Sequence, residues 1–224
     1  MKYAIKGDNF PVVICRLDAG EEVICQAGAM TWMDSSIKMK TETGGLGKMI
    51  GKALTKESIF QNRYVAEASG EIALGSTYPG QIMAIPMDGS KTIIAQKGSF
   101  LAHSSGISMD MYLQKKVAGG LFGGEGFIMQ RFTGTGILFL EIDGSSETYT
   151  LAAGQQKIID TGYLVTMDET CSLDVQMIKG VGNVLFGGEG LFNTVITGPG
   201  NITLQTMSSQ NMIASIVAAV SSRK

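Results

Sequence analysis

The chain has 224 residues with a formal net charge of −2, 44% apolar and 17% charged residues, and 30 glycines. So much apolar content with so few charges excludes a disordered chain, and the slightly acidic balance excludes a nucleic-acid binder that works through a basic surface. The charge is uneven, because residues 121–204 carry nine acids against three bases while residues 38–56 hold five lysines and one glutamate.

The N-terminal stretch Met1 to Asp8 lacks the apolar run of a secretory leader, and no apolar run approaches the roughly 18 residues of a spanning helix. Cys15, Cys25 and Cys171 are an odd set with no CxxC spacing, so neither a disulfide framework nor a zinc site is indicated. A soluble protein of the reducing cytoplasm is expected.

In chain order, short β-branched or aromatic runs bounded by glycine predict strands at Val12–Cys15, Val23–Cys25, Ile82–Ile85, Thr92–Ile94, Ile137–Leu140, Lys157–Ile159 and Asn193–Thr197. Alternation with period two in Ile107–Leu113 and Cys171–Met177 sets one row inward and Ser, Asp and Gln outward on antiparallel sheet. Asp88-Gly89 and Asp143-Gly144 read as hairpin turns. After Ser208-Ser209 the tail is rich in Ala, Ile and Val, which predicts a short helix packed on the sheets.

The chain also repeats itself. Gly98–Leu140 lies over Gly162–Leu204 at a constant offset of 64 with fifteen identities, including Leu-Phe-Gly-Gly-Glu-Gly at 121–126 and 185–190. Leu17–Asp34 lies over Leu151–Asp168 at an offset of 134. The expectation is one all-β domain over residues 1–210 made of three repeats, about 1–75, 76–139 and 140–207. They form a compact β-sandwich or double-stranded β-helix-like body, with a helical tail at 208–224.

The elements Ala-Gly-Glu-Glu-Val, Gly-Ala-Met-Thr-Trp-Met, Lys-Gly-Ser-Phe-Leu-Ala and Gly-Glu-Gly-Phe, in that order, resemble the family called altered inheritance of mitochondria, member twenty-four. The resemblance runs from about residue 1 to residue 210. It implies an all-β fold of the double-stranded β-helix or tryptophan RNA-binding attenuator-like type. The fungal namesake is associated with the mitochondrial inner membrane, whose targeting segment this chain lacks. The bacterial members have no established activity, so the resemblance supplies no catalytic residues.

Repetition also weighs each chemical suspicion. His103 is the single histidine, but the other copies place Met167 and Met33 there, which favours packing over acid–base work. Cys25 aligns with Ile159, and Cys171 with Ile107 and Ile37, as small hydrophobes do. The Gly-rich loops offer backbone N–H groups to an anion, yet lack the Lys-Ser/Thr of a phosphate loop. Glu57, Glu125 and Glu189 are weak candidates for a hard cation near a pseudo-threefold axis, the plainer reading being that each glutamate fixes its own loop. Asp34 with Asp168, and Asp110 with Asp174, recur as strand-face residues rather than as a catalytic pair. Arg63 and Arg131 stand beside Tyr64 and Phe132, an arrangement that base stacking uses but an acidic protein does not favour. Lys48, Lys52 and Lys56, at i, i+4 and i+8 in a stretch that the other copies do not repeat, are the candidate contacts for a membrane surface or a protein partner.

These observations lead to an uncharacterised non-enzymatic, homo-oligomeric β scaffold or binding module with no cofactor. The alternative is a small-molecule or metal-binding protein, or an enzyme, with its site among the Gly-rich loops.

Overall fold

The computed structural model describes residues 1–40, 61–115, 127–177 and 192–221. These residues are mostly β. In chain order the strands are β1 (Lys2–Lys6), β2 (Val12–Leu17), β3 (Glu22–Gln26), β4 (Met30–Met33), β5 (Ile37–Lys40), β6 (Gln61–Ala66), β7 (Gly70–Gly75), β8 (Gly80–Asp88) and β9 (Ile93–Gln96). They continue as β10 (Phe100–Ser104), β11 (Ile107–Lys115), β12 (Phe127–Asp143), β13 (Ser146–Leu151), β14 (Gln156–Asp160), β15 (Leu164–Asp168), β16 (Ser172–Met177), β17 (Phe192–Thr197) and β18 (Gly200–Gln205). One helix, α1 (Ser209–Ser221), follows. Each strand predicted from its Gly-bounded apolar run overlaps one of these. Strands β3, β7, β10 and β15 bury three or four residues in a row, whereas others bury alternate residues. In β2, for example, Val13, Cys15 and Leu17 are buried while Arg16 between them is exposed.

The chain divides into two compact units. The first comprises Met1–Lys91, Phe100–Ser108 and Thr133–Glu141. One of its sheets runs β1-β2-β7-β4. In its other sheet β10 lies between β12 and β3, followed by β6 and β5, and β8 also pairs with β12. Both sheets feed one core, with Val13, Leu17, Ile72 and Leu74 from the first and Val23, Tyr64, Leu101 and Phe139 from the second.

The second unit comprises Thr92–Ser99, Met109–Phe132 and Ile142–Lys224. Its larger sheet runs β13-β18-β15-β9-β12, and β11 also pairs with β12; its smaller sheet runs β14-β17-β16. Phe127, Met129, Leu164, Met167 and Ile202 of the larger sheet and Ile159 and Ile196 of the smaller share the second core. Burying a side chain such as Phe127 or Leu164 contributes about 1.5–3 kcal/mol relative to exposure. Strand β12 serves both units, because residues up to Phe132 belong to the second and Thr133–Glu141 to the first.

Three strands carry the same irregularity. The register shifts by one residue between Met30 and Trp32 in β4, between Phe100 and Ala102 in β10, and between Leu164 and Thr166 in β15. Such a bulge re-aims the strand beyond it.

One expectation needs correction. Gly89 and Gly144 do turn the chain, with φ of +86° and +74°, but neither turn closes a hairpin. Strand β8 pairs with β12 and β9 with β12 and β15, while β13 pairs with β18. The tail forms the expected helix, on which Ile213, Ile216, Val217 and Val220 are exposed. What holds its start is polar: Ser209 donates its N–H to the Asp143 carboxylate at 2.9 Å, and the Asn211 amide donates to Asp160 at 3.2 Å.

Candidate functional site

His103 lies on β10 with its ring buried, 5.6 Å from that of Phe100. Its Nδ1–H donates to the Ser104 carbonyl at 2.8 Å. Burial holds its pKa below the ordinary value, opposed by the Ser104 hydrogen bond and reinforced by the charge of Arg63. A neutral, enclosed imidazole next to an aromatic ring is a packing element. Met167 at the corresponding place in β15 is buried as well, whereas Met33 on β4 is partly exposed.

All three cysteines are free and buried. Burial pushes the thiols of Cys15 and Cys25 up to about 12. That of Cys171 is raised by burial and by nearby Asp168. Thiols in this condition are poor nucleophiles, and Ile37, Ile107 and Ile159, their counterparts in the sequence, are buried too.

The arginine–aromatic pairs do not form stacking platforms. Tyr64 and Phe132 are interior, Arg63 pairs with Glu22 at 2.6 Å, and Arg131 pairs with Glu169 at 2.8 Å while its guanidinium lies 5.1 Å from the Tyr112 ring centre. Asp110 and Asp174 are exposed on their strands, as expected.

Asp34 and Asp168 act as braces. Asp34 accepts the backbone N–H of Glu71 at 2.8 Å, and Asp168 accepts that of Asn201 at 2.7 Å. Ser104 does the same with its hydroxyl oxygen, accepting the N–H of Ile137 at 3.0 Å. In each case the residue before the donor is a glycine, Gly70, Gly136 or Gly200, where an added Cβ would meet the bracing residue or its neighbour. The buried carboxylate of Glu141 is likewise structural, accepting Thr77 N–H at 2.7 Å and Ser76 Oγ–H at 3.2 Å.

Glu57, Glu125 and Glu189, together with Lys48, Lys52 and Lys56 and both Leu-Phe-Gly-Gly-Glu-Gly loops, lie outside the described residues. Among the described residues no cluster of three His, Cys, Asp or Glu is placed to hold a metal. No described helix is long and apolar enough to cross a membrane.

What is presented outward is apolar and sits on strand edges. Trp32 on β4 is 51% exposed, Met33 beside it is 37% exposed, and Ile158 on β14 is 67% exposed. Among the described residues β4 and β14 are terminal strands of their sheets. An edge strand with bare apolar side chains is a template for another chain. Recurrence of Asp34 and Asp168 at an offset of 134, with Ser104 at 64 before Asp168, is the signal that leads to the braces. No motif marks the edges.

The family model described as Mitochondrial biogenesis AIM24 matches residues 3–207. The chain belongs to this family. It is 30% identical over 217 residues to an uncharacterized protein of Streptococcus pyogenes serotype M6, an alignment that covers 92% of this chain and 86% of that protein. A crystal structure of a Streptococcus pyogenes protein is similar with a TM-score of 0.79 and 26% identity, covering 97% of this chain and 99% of that one. The AIM24 resemblance read from the sequence motifs thus holds over residues 3–207.

Proposed function

We propose that this AIM24 protein is a non-enzymatic, self-associating β scaffold built from three copies of one six-strand unit. The copies are β2 to β7, β8 to β12, with β12 supplying two strands in one, and β13 to β18. The three braces and the three bulges at matching offsets support this reading. So does the use of His103 and the cysteines for packing.

The observation that carries the functional part is the exposure of Trp32, Met33 and Ile158 on strand edges, since bare apolar side chains on an edge strand favour pairing with another chain. Native mass spectrometry of the purified full chain tests it by reporting the assembly mass and any co-purifying ligand together. A multimer without a bound small molecule is the expected result. A monomer that carries a stoichiometric metal or metabolite would replace the scaffold reading with that of a ligand-binding protein.

A further inference from the structure

Two strand pairings follow one rule. Strand β10 pairs with β3 as Ala102↔Cys25, His103↔Ile24 and Ser104↔Val23. Strand β15 pairs with β9 as Thr166↔Ala95, Met167↔Ile94 and Asp168↔Ile93. The sequence offsets make β4, β10 and β15 counterparts, and likewise β3, β9 and β14: Leu17–Asp34 lies 134 residues before Leu151–Asp168, and Gly98–Leu140 lies 64 before Gly162–Leu204. In both observed cases the bulged strand of one copy pairs with the strand that corresponds to β3 in the copy before it. Applied once more, the rule leaves one unused strand of each kind, β4 and β14. Both end their sheets among the described residues, with β7 the ladder neighbour of β4 and β17 that of β14.

We propose that β4 of one molecule pairs antiparallel with β14 of a second copy of this chain, in the register Trp32↔Ile159, Met33↔Ile158 and Asp34↔Lys157. The register is the observed one carried over, since Thr166 and Cys25 become Trp32 and Ile159 at the offset of 134. The two edges are chemically complementary. Met33 and Ile158, apolar and exposed in the single chain, meet on one face of the pair, while on the other face exposed Trp32 lies over Ile159 and the Asp34 carboxylate faces the Lys157 ammonium. The added strand pair also uses backbone N–H and C=O groups that, among the described residues, pair with no strand on the outer side of either edge.

One copy offers both a β4 edge and a β14 edge, so the contact is either reciprocated between two copies or passed head to tail from copy to copy. This inference rests on the scaffold reading and specifies its partner and its surface.

The test uses full chains. Met33→Cys and Ile158→Cys variants are co-expressed and treated with a short bis-maleimide. The native cysteines are buried and stay out of the reaction. A covalent dimer that holds one of each variant is expected on a denaturing gel, with none when either variant is expressed alone. In parallel, Ile158→Lys with Trp32→Lys is expected to reduce the native mass to that of one chain while the melting transition persists.

Three outcomes overturn the proposal. One is a wild-type multimer in which the mixed variants do not cross-link, which leaves the scaffold reading standing. Another is a chain carrying both Met33→Cys and Ile158→Cys that cross-links within itself at every dilution, which assigns the same pairing to one molecule. The third is cross-linking of Met33→Cys alone, which means that β4 meets β4. A monomeric wild type overturns this proposal and the scaffold reading together.

Discussion

Asp168 holds Asn201 twice, accepting its backbone N–H at 2.7 Å and its side-chain Nδ2–H at 2.9 Å. The contact fixes the start of β18 against the end of β15, where the strand leaves its ladder. Replacing Asp168 by Ala is expected to cost about 1.5–3 kcal/mol, the size of a hydrogen bond to a charged acceptor. Asp168→Asn keeps an oxygen that can accept from the backbone and is expected to lose less. Urea unfolding of both variants measures this, and equal stability of the Ala variant and the wild type would show the brace to be idle.

Gly136 makes a sharper case. Its φ is +148°, and a Cβ there would stand 1.9 Å from Ser104 Oγ, the oxygen that braces Ile137. Gly136→Ala combines backbone strain with a clash and is expected to cost about 1–3 kcal/mol. Part of that loss should be recovered when Ser104→Ala is added, because the two changes share a contact. Strict additivity in the double-mutant cycle would place the whole cost in the backbone.

The buried imidazole of His103 gives the protein a pH dependence with a defined sign. Its folded pKa lies below its ordinary value, so the unfolded chain binds the proton more readily. This contribution to stability is present above pH about 6.5, the unperturbed value, and is lost as the pH falls toward the folded pKa. His103→Met should remove that part of the slope while changing stability at pH 8 by no more than about 1 kcal/mol, as a volume-conserving core change does. Denaturant titrations at several pH values decide it, and an unchanged slope would sink the assignment.

The thiols allow a simple accessibility measurement. Cys15 and Cys25, pushed up to about 12, and buried Cys171 are expected to react with a thiol reagent at pH 8 only as fast as the fold opens. All three should be titrated at once in denaturant. Immediate labelling of the native protein would contradict the burial.

Exposure of the tail helix predicts that it contributes little to the body. Deletion of residues 213–224 removes Ile213, Ile216, Val217 and Val220, all exposed, and leaves the Asp143–Ser209 and Asp160–Asn211 contacts in place. The melting temperature is expected to stay within about 2 °C, a stability change well under 1 kcal/mol for a chain of this size. A fall of about 10 °C would mean that the apolar stripe is covered in solution.

Much of the fold was legible because strands announce themselves locally. Alternation in Cys171–Met177 and the apolar run at Val12–Cys15 carry their own burial pattern, and Ser208-Ser209 marks the helix that follows. Pairing is not local. Asp88-Gly89 and Asp143-Gly144 have the composition of hairpin turns, yet the strands on either side bond to distant partners, which no dipeptide can specify. Comparison at the sequence offsets of 64 and 134 reached further: it read His103 and Cys171 as packing residues from the Met and Ile aligned with them. It passed over Ser104 because a hydroxyl standing in for a carboxylate looks like a difference until the shared N–H contact is seen.

Six alternating segments make up the two units, so the backbone passes from one to the other five times. Neither unit can be cut out as a fragment, because any break between residues 92 and 141 leaves part of each behind. During synthesis the unit that holds the N-terminus stays unfinished until Glu141 has left the ribosome, by which point part of the second has been made. The usual order, in which an N-terminal domain closes before the next begins, is unavailable to this chain. Recombination that swaps contiguous halves between relatives should therefore give insoluble products wherever the joint falls in that span.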